Sequence, residues 1–416
     1  MALEAPLVKR PRYQRVIDSY RDTEQVKVLQ GVRRCGKSAL MQMTRAGLIA
    51  RGVEGRNIYY RRFDSFDTPL DYSAHDLMDD LARAFEGSDS SKTMYVFLDE
   101  IQEIAGWERV VRRLHTRAQT DVYITGSNAH ILSSDLTTQL SGRYVSIMVY
   151  PLSFSEFLTF KAAQEEAVAE PFDQAFAEFL RYGGMPSLFA LRERDDEQVV
   201  RELSAIQDTV ILNDVARRLG LRDIALLQRL VTYLFSTSGN RFSTNKIVGA
   251  LANARRKTSA ETIDGYIDGL EKAYIVHEVV QEGLQGKEIL SPLRKFYPVD
   301  PGLRSLVAGA AAGENTGFQL EAAVHGELVR RGYALTVGSL RAGEVDFVAR
   351  RGLERLYVQV SESILNEVTR ERELGPLRAV GNSFPKVVLT LDRVGLGTTS
   401  DGITVANVID WLLDEA

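Results

Sequence analysis

An α/β fold with a parallel sheet covered on both faces is what this sequence predicts, and three features predict it. Val26-Lys27-Val28-Leu29 reads as a short strand running into Gly31-Val32-Arg33-Arg34-Cys35-Gly36-Lys37-Ser38, and Ser38-Ala39-Leu40-Met41-Gln42-Met43 reads as the helix that leaves it. Residues 93–98 form an apolar run without alternation, as a strand buried on both faces must, and Asp99-Glu100 closes it. Further strands at 57–60, 121–126 and 144–149 are separated by helical spacing, the order that yields parallel neighbours.

The first of these stretches matches G-x-x-x-x-G-K-[ST], the phosphate-binding P-loop, in its required strand-loop-helix context. Two glycines let the backbone curl so that successive N–H groups face a polyphosphate, and the emerging helix adds the positive end of its dipole. The nucleotide-binding candidates are therefore Gly31, Arg33, Arg34, Cys35, Gly36, Lys37, Ser38 and Ala39. Lys37 bridges the β- and γ-phosphates of ATP or ADP in this reading, and Ser38 ligates Mg2+. Asp99 also holds Mg2+, directly or through water, and Glu100 polarises the attacking water. Cys35, the only cysteine, sits near a helix N-terminus that lowers thiol pKa values. The plainer reading is a small residue that fits the loop.

Length and composition bound the rest. The 416 residues suffice for roughly three domains. With 44% hydrophobic and 26% charged residues, the composition is that of a globular protein. One cysteine excludes a disulfide framework, and five scattered histidines give no zinc spacing. Without a signal sequence at its start or a run of about 18 apolar residues, the chain is expected to be cytoplasmic, with no membrane contact. Although the net charge is -5, residues 1–62 hold 14 Lys/Arg against five acids. Either a basic face lies near the nucleotide site, or these residues solvate the surface and hold the nucleotide's own phosphates.

GVRRCGKS, VFLDE, ITGSN, LSGRY followed by PLSFSEF, YGGMP (182–186) and FYPVDPGLR (296–304) together resemble the bacterial and archaeal AAA-family (AAA+) ATPases that carry a C-terminal domain of unknown function. The likeness runs from about residue 10 to about residue 413. It implies a P-loop AAA+ core related to the origin-recognition and STAND branches, followed by a helical lid, a winged helix and a C-terminal restriction-endonuclease-like α/β domain. Asn128 stands at the sensor-one position, where a polar side chain reads the γ-phosphate or orients the water. Arg143 stands where oligomeric AAA ATPases place an arginine that reaches into the neighbour's site. Gly184-Met185-Pro186 matches a lid element that contacts the nucleotide base, which makes Pro186 a base-contact candidate. A turn using Gly and Pro for backbone reasons is the competing reading.

The expected boundaries are 1–155 for the ATPase core, 156–235 for the lid, 236–305 for the winged helix and 306–416 for the nuclease-like domain. Apolar positions at helical spacing fill 156–235. From Ser243, two short helices and a hairpin (275–280 against 294–297, with Gly283 and Gly286 between) follow in winged-helix order. The second helix carries Glu261, Asp264, Asp268 and Glu271, which repel phosphates, so Arg255-Arg256-Lys257 and the wing are the better DNA contacts. The last hundred residues read helix (318–332), three strands (334–337, 344–350 and 355–360), helix (366–377) and strand (386–391). This resembles the PD-(D/E)xK nucleases, in which acids gather Mg2+ and a water. Glu321 matches the helix acid and Asp346 the aspartate, but Gln359-Val360-Ser361 stands in place of Glu-x-Lys. A neutral amide is a poor metal ligand here and serine supplies no cation, so the resemblance implies an impaired nuclease site. Glu344 shares a strand face with Asp346 and is the one acid placed to substitute.

Three functions fit this pattern. One is an ATP-hydrolysing homo-oligomer that binds or remodels DNA, branched DNA included; the others are a STAND-like nucleotide switch acting on a protein partner, and a nuclease gated by ATP.

Overall fold

The computed structural model describes residues 7–127, 129–132, 140, 142–164, 171–191, 194–221, 223–256, 258–282, 292–308, 316–340 and 343–414. It divides into two compact units, one of Met1–Tyr150 with Lys272–Tyr274, the other of Pro151–Glu271 with Ile275–Ala416.

In the first unit, α1 (Pro11–Ser19) precedes β1 (Val26–Gln30), α2 (Lys37–Ala50), β2 (Ile58–Arg62), α3 (Ala74–Gly87), β3 (Met94–Asp99), α4 (Trp107–His115), β4 (Thr120–Gly126) and β5 (Tyr144–Met148). The five strands are all parallel in the order β2-β3-β4-β1-β5. β1 lies between β4 and β5, and every residue in it is buried, Lys27 included. That lysine is tolerated because its Nζ meets Asp121 Oδ1 of β4 at 2.5 Å, which supplies the counter-charge a buried cation requires. Leu77 and Leu81 of α3 and Val110, Val111 and Leu114 of α4 pack with Val28, Val96 and Ile124 of the sheet in one apolar core. A capping box between Ser73 and Asp76 starts α3. The sequence of residues 129–140 reads as a helix, and in the structure the stretch opens as a 3-10 turn at Ala129–Leu132. Asn128 and residues 133–139 lie outside the described residues.

The second unit opens with helices α5 (Phe154–Ala162), α6 (Phe172–Tyr182), α7 (Asp196–Thr209) and α8 (Ile224–Ser236), in the stretch read as all-helical. Phe154, Phe157, Phe176 and Phe179 form their aromatic centre. α7 continues into a π-helical turn, Val210–Ala216. There follow α9 (Thr244–Asn253), α10 (Ala260–Lys272), the antiparallel pair β6 (Val276–Gln281) and β7 (Arg294–Pro298), and α11 (Pro301–Ala308). Lys257, Gly283 and Gly286 lie outside the described residues. The chain ends with α12 (Thr316–Arg330), β8 (Ala334–Leu340), β9 (Gly343–Arg351), β10 (Glu354–Ser361), α13 (Glu367–Ala379), β11 (Lys386–Thr390), β12 (Gly397–Thr398), β13 (Thr404–Asn407) and α14 (Val408–Leu413).

Strands β6 to β13 make one eight-stranded sheet, β12-β13-β11-β10-β9-β8-β6-β7. The 276–298 hairpin joins it through β6, which pairs in parallel with β8 at Val280↔Thr336 and Gln281↔Val337. The sheet therefore runs across the boundary expected at 305. Periodicity assigns residues to strands but does not say which strands share an edge.

Candidate functional site

The P-loop is shaped by close backbone approach. A Cβ on Gly31 would stand 2.1 Å from the Val149 carbonyl oxygen, so only glycine fits between β1 and the end of β5. Gly36 caps α2 at φ 99°, and Arg34 also takes a positive φ, 65°. The first α-helical bond of α2 is Leu40 N–H to the Gly36 carbonyl at 3.0 Å. The amides of Lys37, Ser38 and Ala39 thus have no carbonyl one turn back, the arrangement that receives an anion. Lys37 Nζ donates to the carbonyls of Gly31 at 2.9 Å and Val32 at 3.1 Å, so the loop is curled around the ammonium. Cys35 is fully buried and burial pushes its thiol up, which favours the small-residue reading over a reactive thiolate. Its carbonyl accepts Arg10 Nη1 at 3.0 Å, and Arg10, itself buried, also reaches the Tyr150 carbonyl at 3.0 Å. At the end of β1, Gln30 Oε1 accepts the Tyr274 hydroxyl at 2.6 Å.

Facing the loop, Asp99 ends β3 with no exposure. Its Oδ1 accepts Ser38 Oγ at 3.1 Å and Thr125 Oγ1 at 2.5 Å, and its Oδ2 accepts the Tyr60 hydroxyl at 3.1 Å. Burial pushes the Asp99 carboxyl up, against these hydrogen bonds. A hydroxyl and a carboxylate converging beside a phosphate cradle are hard oxygen donors of the kind Mg2+ takes, so the residues fit that ion. Glu100 follows in the left-handed region at φ 54°, which turns its side chain away from the strand direction. Its N–H donates to Thr125 Oγ1 at 2.8 Å, and its carboxylate accepts Gln102 Nε2. Thr125 thus ties both acidic residues to β4. Sequence reasoning misses Thr125, Tyr60 and Gln102: the ITGSN stretch draws attention to its later residues, and the pairing of β3 with β4 is a tertiary fact.

Arg143 precedes β5, and its carbonyl accepts Val26 N–H at 3.1 Å. It therefore stands level with the start of β1, whereas the P-loop leaves the other end of that five-residue strand, about 15 Å away at 3.3 Å per residue. Within its own chain Arg143 does not reach Lys37.

In the second unit, Gly183 (φ 80°) and Gly184 lie against the segment after β7. Cβ atoms there would meet Asp300 Oδ1 at 1.8 Å and the Leu152 carbonyl oxygen at 2.4 Å. Asp300, wholly buried, accepts Gly184 N–H at 2.6 Å and Gly302 N–H at 2.9 Å. The YGGMP and VDPG stretches are thus one packed junction, a backbone reason for the glycines. Pro186 starts the 3-10 turn Pro186–Ala190.

The C-terminal residues come together around a cavity of about 740 Å3 bordered by Glu321 of α12, Glu344 and Asp346 of β9, Gln359 and Ser361 of β10 and Glu373 of α13. Asp346 Oδ2 accepts Val360 N–H at 2.9 Å, and Gln359 Nε2 donates to Glu373 Oε2 at 2.8 Å. Burial and the neighbouring Glu321 hold Asp346 well above the usual carboxylate range. The cation missing from Gln359-Val360-Ser361 is present in space. Lys295 of β7, 3% exposed, places Nζ 2.5 Å from Glu344 Oε1 and 3.5 Å from Glu321 Oε1, and the Tyr297 hydroxyl donates to Glu321 Oε1 at 2.6 Å. The inference that no lysine serves these acids is corrected accordingly. Lys295 lies 64 positions before Gln359, so no local motif reports it, and only the hairpin's place in the sheet brings it there.

Part of the basic excess of residues 1–62 is neutralised locally. Arg21 and Arg51 reach Asp18, Arg61 reaches Asp80, Arg62 reaches Asp64, and Lys27 is buried with Asp121.

A P-loop at the carboxyl end of a parallel sheet of order 2-3-4-1-5, with an Asp-Glu pair ending the strand that follows helix α3, defines an ATPase core of the AAA class. An AAA domain model matches residues 23–158, and a domain of unknown function (DUF8612) matches residues 173–314. The chain belongs to the family of AAA-domain proteins that includes an uncharacterized Haemophilus influenzae protein, 37% identical over 98% of this chain and 99% of that one. An uncharacterized Methanocaldococcus jannaschii protein is 30% identical over 89% of this chain and 81% of its own length. Among solved structures, a Walker-type ATPase of Pyrococcus abyssi superposes with a TM-score of 0.51 at 16% identity, covering 73% of this chain and 97% of that one, a likeness of fold. Among the described residues, no helix is long and apolar enough to cross a membrane.

Proposed function

We propose that this chain is a Mg2+-dependent ATPase, assembled as a homo-oligomer, that couples its nucleotide state to the binding or remodelling of DNA. The observation that carries the ATPase reading is the convergence of Ser38, Thr125 and Tyr60 on the buried Asp99 beside the curled P-loop. Lys37 and the amides of Lys37, Ser38 and Ala39 bind the phosphates, and Ser38 and Asp99 would hold Mg2+, which neutralises phosphate charge when bound. Glu100 polarises the water, with its backbone fixed by Thr125. Asn128 is the proposed sensor and Pro186 the proposed base contact. Arg143 acts on the neighbouring subunit, a reading supported by its place at the far end of its own sheet.

DNA as the target is supported by the order of α9, α10 and the β6–β7 hairpin, which is that of a winged helix, and by the nuclease-like order of α12 to β11. The C-terminal pocket is proposed to bind nucleic acid without cutting it efficiently, because the neutral Gln359 stands in place of a metal-binding carboxylate and Lys295 already engages Glu344 and Glu321. The test is phosphate release measured without DNA and with duplex, single-stranded and four-way-junction DNA, beside a sizing measurement with and without ATP. Turnover raised by one DNA form, with an ATP-dependent increase in size, is the expected result. Turnover and assembly indifferent to every DNA form would favour a nucleotide switch that acts on a protein.

A further inference from the structure

Helix α4 carries a surface that the nucleotide site does not use. Trp107, Val110, Val111 and Leu114 are buried in the core of the first unit. The helical repeat therefore turns Arg109, Arg112 and Arg113 to the other side, where all three are exposed. They border a cavity of about 650 Å3 together with His75 and Met78 of α3. Arg117, just past the helix, is held over the Phe85 ring at 4.0 Å.

These arginines differ from others in the unit. Arg21, Arg51, Arg56, Arg61, Arg62 and Arg83 each meet a carboxylate. Among the described residues, Arg109, Arg112 and Arg113 have no such partner, and Asp79 on the adjoining α3 lies 3.7 Å from His75. The helix dipole favours Arg112 and Arg113 in the last turn but opposes Arg109 in the first, so helix stability does not account for the row. Nor does general basicity, since the chain carries a net charge of -5.

We propose that this face of α4 binds the sugar-phosphate backbone of a nucleic acid. The proposal rests on the DNA-directed reading above and gives it a surface. Side chains three and four positions apart on a helix start about 5–6 Å from each other. Three such guanidinium groups reach neighbouring phosphates of one strand, and each planar fork matches two phosphate oxygens. Contacts of this kind carry no base sequence, so binding is expected to tolerate sequence change and to weaken with salt.

The test is fluorescence anisotropy of a labelled duplex and a labelled single strand, each of about 30 nucleotides' length, with full-length protein and ATP between about 50 and 200 mM KCl. The triple variant Arg109→Ala, Arg112→Ala, Arg113→Ala should bind at least about tenfold more weakly, with the slope of log affinity against log salt flattened by about 0.9 for each duplex phosphate that is no longer neutralised. The corresponding triple lysine variant should keep the slope, and both should bind a fluorescent ATP analogue as the unaltered protein does. Should the alanine triple lose ATP binding, Arg109→Ala alone gives the same reading, with a slope flatter by about 0.9. Unchanged affinity and slope, with the unaltered protein binding DNA, would overturn this surface and leave the DNA reading standing. An unaltered protein that binds neither probe would overturn both. Displacement of the probe by polyglutamate as effective as by unlabelled DNA would reassign the row to an acidic protein.

Discussion

Thr125 shows how one hydroxyl can serve two acidic residues. It donates to Asp99 at 2.5 Å and accepts the Glu100 N–H at 2.8 Å, so it orients both the carboxylate proposed to hold Mg2+ and the backbone of the proposed water-polarising residue. Thr125→Val conserves shape and removes both bonds. A hydrogen bond to a charged group contributes about 1.5–3 kcal/mol, so turnover is expected to fall about 10- to 100-fold while ATP-analogue affinity changes little. Steady-state phosphate release and analogue titration measure the two separately. Lys37 and Glu100 divide labour differently. Lys37→Ala should abolish nucleotide binding, because Lys37 contributes charge to ground-state phosphates. Glu100→Gln should keep binding and stop hydrolysis, because Glu100 acts only on the water. Equal ATP affinity in Lys37→Ala and the unaltered protein would remove the P-loop role.

Among the secondary-structure elements, the parallel pairing of β5 with β1 decides where Arg143 stands. Because Val26 is in register with Tyr144, the residue before β5 lies at the amino edge of the sheet and the P-loop at its carboxyl edge. An arginine there serves hydrolysis only by crossing to another copy of the chain. Arg143→Ala is therefore expected to lower turnover several hundred-fold or more with little change in affinity, since arginine fingers contribute about 10³ to 10⁵ in rate. Mixing Arg143→Ala with Lys37→Ala subunits should restore part of the activity, because one interface can then pair an intact P-loop with an intact arginine. No rescue, with mixed assembly confirmed by sizing, would make Arg143 structural. The LSGRY resemblance already implies service to a neighbour's site; the strand register is consistent with that proposal because it sets Arg143 at the edge away from its own P-loop.

Across the full chain, the 276–298 hairpin and the C-terminal strands share one sheet, and Lys295 fastens that junction electrostatically. Removing Lys295 takes the ammonium from the buried Glu321 and leaves Glu344 with Arg241, 3.1 Å away, so the loss is set against a cost of about 3–5 kcal/mol for a fully broken buried pair. Lys295→Met should lower the stability of the second unit by no more than that, read by denaturant unfolding at Trp411; Glu321→Gln, which removes the buried acid left without its ammonium, should offset part of the loss. The neutral Gln359 in place of a carboxylate underlies the expectation that protein with Mg2+ or Mn2+ does not cut duplex or branched DNA above background. Metal-dependent cleavage that disappears in Asp346→Ala would make Glu321, Asp346 and Gln359 a working site, with Lys295 as its lysine.

The ATPase core is legible in the order of residues alone, because its signals are local. A glycine-bounded loop between a strand and a helix, and an unbroken apolar strand ending in two acids, each state their chemistry within about ten consecutive residues. The same holds for β8 to β11 and α13, placed within a few residues of their observed bounds, since alternation and helical spacing are properties of short windows. What depends on pairing between distant segments took the assembled fold to reveal. Thr125 reaches Asp99 because β4 lies beside β3. Gly183 proves to be room for Asp300, and Gly184, whose N–H Asp300 accepts from 116 positions on, room for the Leu152 carbonyl. Lys295 replaces the cation absent from β10 because a hairpin from another part of the chain became the edge of the sheet. Side chains brought together by strand order leave no periodic mark on the chain, so their chemistry is visible only once the sheet is assembled.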